Sequence, residues 1–501
     1  ARLDGLAVEG DSRTVRAVID SAYRPLPEGS AAVFRRIAVA PGPTFSSWLV
    51  AAVSGVPLPG VGSVLASLAA AHLVTEVGPH RFRFHDLIRE YARGRLTDHD
   101  RAEATDRLLD WYTQVAHEVN LLANPARDLV RPVIRHPWDE PLFPPDRHAA
   151  LTFLEGEREN LLPVVQFARD RRELTAAWQL TYLLTSFYEA TGHWHERVAM
   201  CRIAAGAAAE LGDRAAEAEM LRALGVALFM TRRLTEAIEA NHQALAIVRE
   251  TGDLAGEGHV HNNIANALAE LRRFDEAVLS HLRAVDCCDR AGTRLGRALS
   301  QRNLGHTYLR MGDPEASLAP LRDALEVFRE LGNTRLEAGT LNVLGEAHLR
   351  RGAPDLALRE LDRALDLSRE IGDRWVEWEV LADIGTAHLD RDGHGVAFFE
   401  QALAISREVD DRHGVAVVLG LLGRAHLRAG HLDAAAGALA DALAERARVP
   451  DAFEEAHVHR DLAELADRRD DRAAAHHHRD RATRLYRQVG ATAEAAATDR
   501  T

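Results

Sequence analysis

Polar side chains of two kinds recur beside a repeated small residue in the second half of the chain. Asparagine can bond a peptide backbone through both ends of its amide, and arginine can clamp a carboxylate or phosphate through two parallel hydrogen bonds. The candidates for a ligand site are Arg222, Asn262, Asn263, Asn266, Arg302, Asn303, His306, Asn342, Glu346, Arg424 and Arg428. A solvated polar face, which any stacked helical array needs, would explain the same residues equally well.

The 25 histidines invite a metal site, but their spacing argues against one. His348, His388 and His426 each follow the repeated small residue by three positions, so packing within a repeat explains them better. His476-His477-His478 points around a helix, and His193-Trp194-His195 lies at a predicted turn. No nucleophile elbow, Ser/His/Asp order or paired-carboxylate motif stands out. We therefore predict no metal site, no catalytic residue and no enzymatic activity in this chain.

The repeated small residue defines the elements that must position these side chains. It recurs at steps of 40 residues with one step of 38, at Gly225, Ala265, Gly305, Gly345, Gly385, Gly423 and Ala463. Each copy predicts two antiparallel helices, for example 338–350 and 356–370, which approach closely where side chains are short. Such a pair cannot bury its apolar face alone, so successive pairs stack into a solenoid. In the Gly385 copy we expect the turn at 392–394 to absorb the missing two residues and both helices to survive.

This spacing resembles that of tetratricopeptide repeats, which carry small residues at these relative positions. Their usual length is about 34 residues, so a period of 40 implies longer helices here. A degenerate first copy fits residues 183–211, with Thr185 and Arg197 at the first two small positions. The resemblance implies that the first helix of each pair lines a concave groove, which is where the ligand-site candidates would lie.

Composition excludes several classes of function. The net charge of −14 disfavours non-specific nucleic-acid binding. The chain contains no lysine, so neither a Schiff-base lysine nor a phosphate-loop lysine is present, and no P-loop motif occurs. No apolar run of about eighteen residues predicts a membrane span. The few cysteines, two of them adjacent at Cys287 and Cys288, favour a reducing cytoplasm. Because the chain starts with Ala1 and has no signal-peptide pattern, we expect a fragment of a longer protein.

The first hundred residues have a different pattern. Helices are predicted near residues 13–21, 31–38, 46–54 and 61–71. Alternating segments on both sides of Gly78-Pro79-His80 then predict a β-hairpin, and a helix follows at 85–96. Helices followed by a hairpin are typical of a winged-helix unit. The segment that would be the recognition helix has no basic residue, so we expect no DNA contact from this unit.

Four phrases of this region resemble the winged-helix part of NB-ARC (STAND-class) ATPases. They are Tyr23-Arg24-Pro25-Leu26-Pro27, Phe34-Arg35-Arg36-Ile37-Ala38, Pro41-Gly42-Pro43 and Phe84-His85-Asp86-Leu87-Ile88-Arg89-Glu90-Tyr91-Ala92. They are similar in particular to Streptomyces antibiotic regulatory proteins of the AfsR type. In that family a DNA-binding region precedes an NB-ARC ATPase, and tetratricopeptide repeats follow.

Phe84-His85-Asp86 stands where this family carries a Met-His-Asp motif, with Phe in place of Met. The resemblance implies that His85, with Asp86, senses the β-phosphate of ADP and holds the nucleotide switch off. A histidine donor at a helix N-terminus suits an anion. The alternative is that His85 and Asp86 only cap the last helix of this unit.

We predict a mainly α chain with three parts: a winged-helix domain with a β-hairpin at 1–97, a helical connector with a proline-rich loop at 98–173, and a tetratricopeptide-repeat α-solenoid at 174–501. The predicted function is that of the sensor and regulatory region of a multidomain transcriptional regulator. Its repeats would bind a protein, peptide or small ligand and control an adjoining nucleotide switch.

The expected partners follow from that layout. They are a repeat ligand, the protein's own NB-ARC domain outside this chain, and DNA only through a further N-terminal domain; an oligomer is compatible with the sequence. We expect no cofactor in this chain, ATP or ADP in the full-length protein, and no membrane contact. The alternatives are a STAND-class signalling or defence ATPase with another effector, and a freestanding protein-interaction scaffold.

Overall fold

The computed structural model describes residues 15–124 and 130–499, and helices make up most of them. The start of the helix predicted at 13–21 lies outside these residues. The chain divides into two compact units, Ala1–Thr251 and Gly252–Thr501. The predicted fold class, mainly α with a β-hairpin ahead of stacked helical pairs, is confirmed.

The first unit begins with short helices and a small sheet. The elements are α1 (Val15–Tyr23), α2 (Glu28–Ile37), β1 (Phe45–Ser46), α3 (Ser47–Ser54), α4 (Leu58–Ala70), β2 (Thr75–Gly78), β3 (Arg81–Arg83) and α5 (Asp86–Arg93). The predicted hairpin is β2–β3. Strand β1 was not predicted, because two residues are too few to show alternation. It pairs antiparallel with β3, Phe45 opposite Phe82, so the sheet order is β1-β3-β2.

Aromatic side chains form the core of this region. Phe84 is buried, with ring centroids 5.6 Å from Phe34 and 5.2 Å from Phe45. Tyr91 of α5 packs edge-on against Tyr23 of α1. Phenylalanine at the first position of the Phe84-His85-Asp86 motif therefore anchors the end of β3 in the core, and His85 follows directly at the surface.

Two long helices, α6 (Asp98–Ala123) and α7 (Arg147–Asp170), form the connector. Helix α6 packs against α3, α7 and α8 (Leu174–Leu183). The described part of the proline-rich stretch has no helix or strand and is held to α6 by polar contacts. The Asp110 carboxylate accepts the backbone N–H groups of Arg135 and His136 at 3.1 and 2.9 Å.

The remaining helices of the first unit are α9 (Thr185–Thr191), α10 (Trp194–Leu211), α11 (Arg214–Met230) and α12 (Leu234–Thr251). The degenerate first copy is a helical pair of the usual length, but its first helix is broken at Leu184 into α8 and α9. Arg197 stands where other copies have a small residue, and it is 2% exposed and paired with Glu189.

The described part of the second unit, residues 252–499, contains six helical pairs and a short last helix. They are α13 (Leu254–Glu270), α14 (Phe274–Arg290), α15 (Arg294–Met311), α16 (Pro314–Glu330), α17 (Thr334–Arg350), α18 (Pro354–Glu370), α19 (Arg374–Arg391), α20 (Val396–Glu408), α21 (Arg412–Arg428), α22 (Leu432–Arg446), α23 (Ala452–Arg468), α24 (Arg472–Gln488) and α25 (Thr492–Thr498). Helices end at left-handed residues, usually glycine, as at Gly332 with φ of 63°. Aspartate or asparagine then caps the next helix, as Asn333 does for Leu336.

One sequence prediction about this unit was wrong in part. The turn was expected to absorb the two missing residues of the Gly385 copy, yet α20 has 13 residues where α18 has 17. The helix is shortened because Gly395 lies against the backbone of α19, where a Cβ would be 2.3 Å from the Gly385 carbonyl oxygen. Phe399 then fills the space beside Gly385.

The second unit curls until its first helical pair touches its last. The Arg272 guanidinium, in the turn between α13 and α14, lies 5.0 Å from the Phe453 ring of α23 and 5.1 Å from the Phe274 ring. The carboxylate of Glu494, on α25, also attracts the Arg272 guanidinium electrostatically. The first helices of the pairs therefore surround a common interior, which we call the inner face.

Candidate functional site

Four titratable side chains of the inner face have pKa values that burial shifts. His306 on α15 is exposed to solvent, yet burial among surrounding atoms lowers its pKa. Burial likewise lowers the pKa of Arg302. On α19, burial raises the pKa of Glu379 to about 7 and that of Asp383 well above its usual range. Partly exposed side chains with pKa shifts caused by burial are expected on the wall of a concave surface.

Asparagines link neighbouring helices along this face. The Asn303 amide donates to the Asn262 carbonyl oxygen at 3.1 Å, from α15 to α13. Asn342 on α17 donates to Asp383, while its own Oδ1 is buried and lacks a hydrogen-bond donor in the described structure. Asn263 and Asn266 are half-buried on α13. The amides are thus partly committed to the array, and Asn342 retains a free acceptor.

Most of the arginine candidates are already paired. Arg424 bonds Asp461 at 3.0 Å and Arg428 bonds Asp390 at 2.7 Å. In the first unit, Arg222 bonds Glu219 of its own helix at 2.8 Å. Arg302 is the exception, since it forms no ion pair within the described residues and its Nε is buried without an acceptor.

Two arginines bind the C-terminal end of the first helix in the preceding copy. Arg350 and Arg428 donate at 3.3 and 3.4 Å to the carbonyls of Leu309 and Leu389, each one repeat earlier. Arg350 also pairs with Glu346 at 2.7 Å. These contacts place cations at helix C-termini, where the helix dipole favours them. They hold the repeats together and leave few guanidinium donors for a ligand.

Two acidic residues of the inner face were not among the candidates. Glu379 and Asp383 lie one turn apart on α19, and neither forms an ion pair among the described residues. The Trp375 indole, 47% exposed, donates to Glu379. Asp383 precedes Gly385 by two positions, as Asn303 precedes Gly305, so the same spacing rule applied to this copy would have found it. Glu379 lies one helical turn before the positions that this spacing rule covers.

His85 lies at the surface and caps α5. Its Nδ1 accepts the Leu87 backbone N–H at 3.4 Å, and Asp86 is exposed. Because Nδ1 is the acceptor, a neutral His85 carries its proton on Nε2, which leaves one donor on an exposed side chain. The structure therefore shows the capping role and leaves a donor that could meet an anion.

The histidines of the array pack against neighbouring side chains. The His388 ring stacks on Phe398 with centroids 4.9 Å apart, and His348 is buried. Within residues 15–124 and 130–499, no three histidines, cysteines, aspartates or glutamates are arranged to hold a metal ion. Over the same residues no single helix is long and apolar enough to cross a membrane; α3 and α4 pass that test only together, bent by 105°.

Comparison with known proteins agrees with the repeat architecture. A family model described as tetratricopeptide repeat matches residues 256–330. The chain has the fold of a signal transduction ATPase with numerous domains (STAND) protein with a tetratricopeptide repeat sensor from Pyrococcus horikoshii, at a TM-score of 0.60 and 12% identity over 98% of this chain and 68% of that one. A Rap protein complexed with competence and sporulation factor aligns at a TM-score of 0.50 and 11% identity, over 77% of this chain and 99% of that one.

Curated relatives give the family resemblance. The regulatory protein AfsR of Streptomyces coelicolor is 30% identical over 255 residues, which are 49% of this chain and 25% of that protein. AfsR of Streptomyces griseus is 29% identical over 257 residues, 50% of this chain and 26% of that protein. The matched region thus spans about a quarter of the length of these relatives. The chain combines a tetratricopeptide-repeat array with similarity, over half its length, to AfsR regulatory proteins.

Proposed function

We propose that this chain is the sensor and regulatory region of an AfsR-like transcriptional regulator, and that the inner face of its second unit binds an extended peptide or a protein segment. The observation that carries the proposal is the polar wall formed by Arg302, Asn342, Glu379 and Asp383, where Arg302 Nε and Asn342 Oδ1 are buried without a hydrogen-bond partner in the described structure and burial raises the pKa of both carboxylates. The similarity to AfsR supports a regulatory role. The shared fold with a tetratricopeptide repeat sensor and with a Rap protein in complex supports a ligand in the array.

The charges of the inner face favour a ligand with a basic group. Arg424 and Arg428 already bond aspartates, so they have few free N–H donors for an acidic ligand. Burial makes Glu379 and Asp383 costly to ionise, and the attraction of Arg302 for Glu379 and of Arg350 for Asp383 does not offset that cost, so a further cation beside them would lower it. The exposed Trp375 indole at the same place can bind a cation on its face. A peptide with a lysine or arginine side chain over α19 fits these groups.

The N-terminal region would act on a nucleotide switch. Its order of helix, strand, two helices and hairpin supports a winged helix, and α4 carries no charged residue, which argues against a DNA-reading role. His85 offers an exposed Nε2 donor at the start of α5, which fits the β-phosphate of ADP held by an adjoining NB-ARC domain. The rest of such a site would come from that domain. We therefore expect weak nucleotide affinity and no turnover from this chain alone.

The peptide proposal is tested by direct binding. Fluorescent random heptapeptide pools with and without a central arginine are titrated into the 501-residue chain, followed by anisotropy. We expect the arginine pool to bind more tightly, and Glu379→Gln with Asp383→Asn to abolish the difference. Glu326→Gln, on an exposed face of α16, is the control. Equal binding of both pools, or a preference unchanged by the double substitution, would contradict the basic-ligand assignment.

The switch proposal needs a chain that includes the NB-ARC domain. There, His85→Ala should speed ADP release and raise basal activity, because a donor to the β-phosphate is lost. Glu90→Gln, on the exposed side of the same helix, serves as the comparison. Unchanged ADP release in the His85 variant would reduce His85 to the helix cap seen in the structure.

One other function has a specific observation in its favour. The fold is that of a STAND protein with a repeat sensor, which is compatible with a signalling ATPase that has an effector other than a DNA-binding domain. The nature of the effector domain joined to the NB-ARC domain decides between the two.

A further inference from the structure

A buried carboxylate on α7 joins the connector to the β-hairpin. Glu157 is 2% exposed, and three side chains donate to it: Arg81 from β3 at 2.6 Å, Tyr112 from α6 at 2.9 Å, and Asn160 from its own helix at 2.7 Å. Arg81 also donates to Thr44, next to β1, at 2.8 Å. A buried charge with its full set of donors fixes the relative position of the elements that supply them, because loss of one partner leaves the charge uncompensated.

A second contact joins the same turn of α7 to α5. Gly42, in the loop between α2 and β1, lies so close to Asn160 that a Cβ on the glycine would be 1.9 Å from Oδ1 of Asn160. The Arg89 guanidinium of α5 donates to the Gly42 carbonyl at 2.7 Å. Helix α5 is thus held to α7 through the Gly42 loop.

These two contacts reach the chain on both sides of His85. Arg81 precedes His85 by four residues and Arg89 follows it by four, while Glu157 and Asn160 lie one turn apart on α7. Helix α7 also contacts the array. It packs against α8 and α10, and Arg158 of α7 pairs with Glu196 of α10.

We propose that Glu157 and Asn160 are positioning residues that transmit a displacement of α7, caused by the repeats, to the segment that carries His85. The biological use of this joint rests on the proposed nucleotide switch, but the mechanical coupling does not. If Glu157 only stabilised the first unit, its substitution would destabilise that unit. A disturbance made on the array side of α7 would then not reach residues 81–93 through Glu157.

Hydrogen exchange followed by mass spectrometry on the 501-residue chain tests the coupling. Glu157→Gln keeps the shape and removes the charge that holds Arg81. We expect exchange in residues 81–93 to rise by about tenfold or more while α13–α24 stay unchanged, as for a local opening. Glu159→Gln, an exposed acid two residues away on the same helix, is the matched control and should leave residues 81–93 unchanged.

The array-side disturbance is Glu196→Ala, which removes the contact of Arg158 with α10. It should raise exchange in residues 81–93 in the wild-type background and have no additional effect in the Glu157→Gln background. Equal effects in both backgrounds, or none in either, would overturn the proposal.

If Glu157→Gln does not fold, Arg81→Met combined with Glu157→Gln removes both charges, and the same cycle is run with that pair. Additive effects of Glu196→Ala in that background would equally overturn the coupling. None of these measurements uses nucleotide or ligand. Failure of the switch proposal would appear instead as unchanged ADP release in a His85 variant, with the exchange coupling intact.

Discussion

Leu361 fills the space that a side chain on Gly345 would need, because a Cβ on Gly345 would lie 2.5 Å from the Leu361 Cγ. The same relation, at the same separation along the chain, joins Gly305 to Leu321 and Gly423 to Leu439. The repeated small residue is therefore the point where the two helices of a pair touch, which explains why only glycine or alanine stands there.

Gly345→Ala should destabilise the second unit by about 1–3 kcal/mol, the usual cost of overpacking a buried contact. Denaturant unfolding followed by circular dichroism measures the change. Gly437→Ala, in α22 with no atom within 4 Å of the new Cβ, is the control and should be neutral or stabilising. A Gly345 variant as stable as the Gly437 variant would show that the helices can separate at no cost.

His281 occupies on α14 the place that Leu321 holds on α16. It is fully buried, neither ring nitrogen has a partner in the described structure, and burial lowers its pKa to about 3. His281→Leu should stabilise the chain by about 1–2 kcal/mol at neutral pH, since an unsatisfied buried polar group costs about that much.

The effect of His281→Leu should grow in acid. Below the ordinary pKa of 6.5 the unfolded chain binds a proton that the folded His281 does not take up until about pH 3. The wild type therefore loses stability as the pH falls through this window, and the variant does not lose that part. Thermal melts at pH 7.5 and pH 5 measure it, with the exposed His394→Gln as control. A pH-independent difference would contradict the burial of an uncharged imidazole.

Glu379→Gln should raise stability most above pH 7. Burial raises the folded pKa of Glu379 from 4.5 to about 7, so the folded state holds a proton that the unfolded state has released between these values. For this group, stability rises as the pH falls from 7 to 4.5. Melts of wild type and variant should converge at pH 4.5 and separate at pH 8. Glu400→Gln, on the exposed face of α20, should show no such separation.

Gly42→Ala should weaken the joint between α7 and the hairpin. The new Cβ would displace Asn160, which is buried and cannot turn away without losing its bond to Glu157. We expect a loss of about 1–3 kcal/mol in the first unit. Gly62→Ala, in α4 with open space around its Cβ, is the control for the thermal melt. Equal melting temperatures of the two variants would contradict the close approach.

Arg272→Gly should open the curl of the second unit. Arg272 has a φ of 57°, which glycine adopts without strain, so the substitution relieves the local backbone while it removes the cation held between Phe274 and Phe453. Small-angle scattering should show a larger radius of gyration. Arg232→Gly, at the corresponding turn of the first unit with a φ of 60°, should leave the radius unchanged. The same radius for all three proteins would count against the closing contact.

The forty-residue period predicted the helical pairs because a repeated pattern reports packing that recurs in every copy, both within a pair and between neighbouring pairs. The break at Leu184 and the shortened α20 were missed because they depend on how one backbone meets another, as Gly395 meets Gly385. In the hairpin region, turn residues and alternation were enough to predict β2–β3, but not the two-residue β1.

The candidate site was predicted less completely. Spacing placed Arg302 and Asn342 on the helices that form the inner face, but it could not show that Arg424 and Arg428 are occupied by acids from neighbouring copies. The contact of Arg272 with Phe453 had no sequence signal, because the curl is the sum of small rotations between successive pairs. The enclosure that shifts the pKa of Glu379 follows from that sum.

Because Arg272 contacts Phe453, the number of copies between them decides whether the first and last helical pairs of the second unit meet. Each pair adds a fixed increment of rotation, so duplication or deletion of one pair between them would carry Phe453 past Arg272 and leave a gap or an overlap. Repeat arrays change length readily during evolution, and most such changes leave the stacking intact. In this chain a change of one copy would leave every helix folded and still alter whether the interior is enclosed.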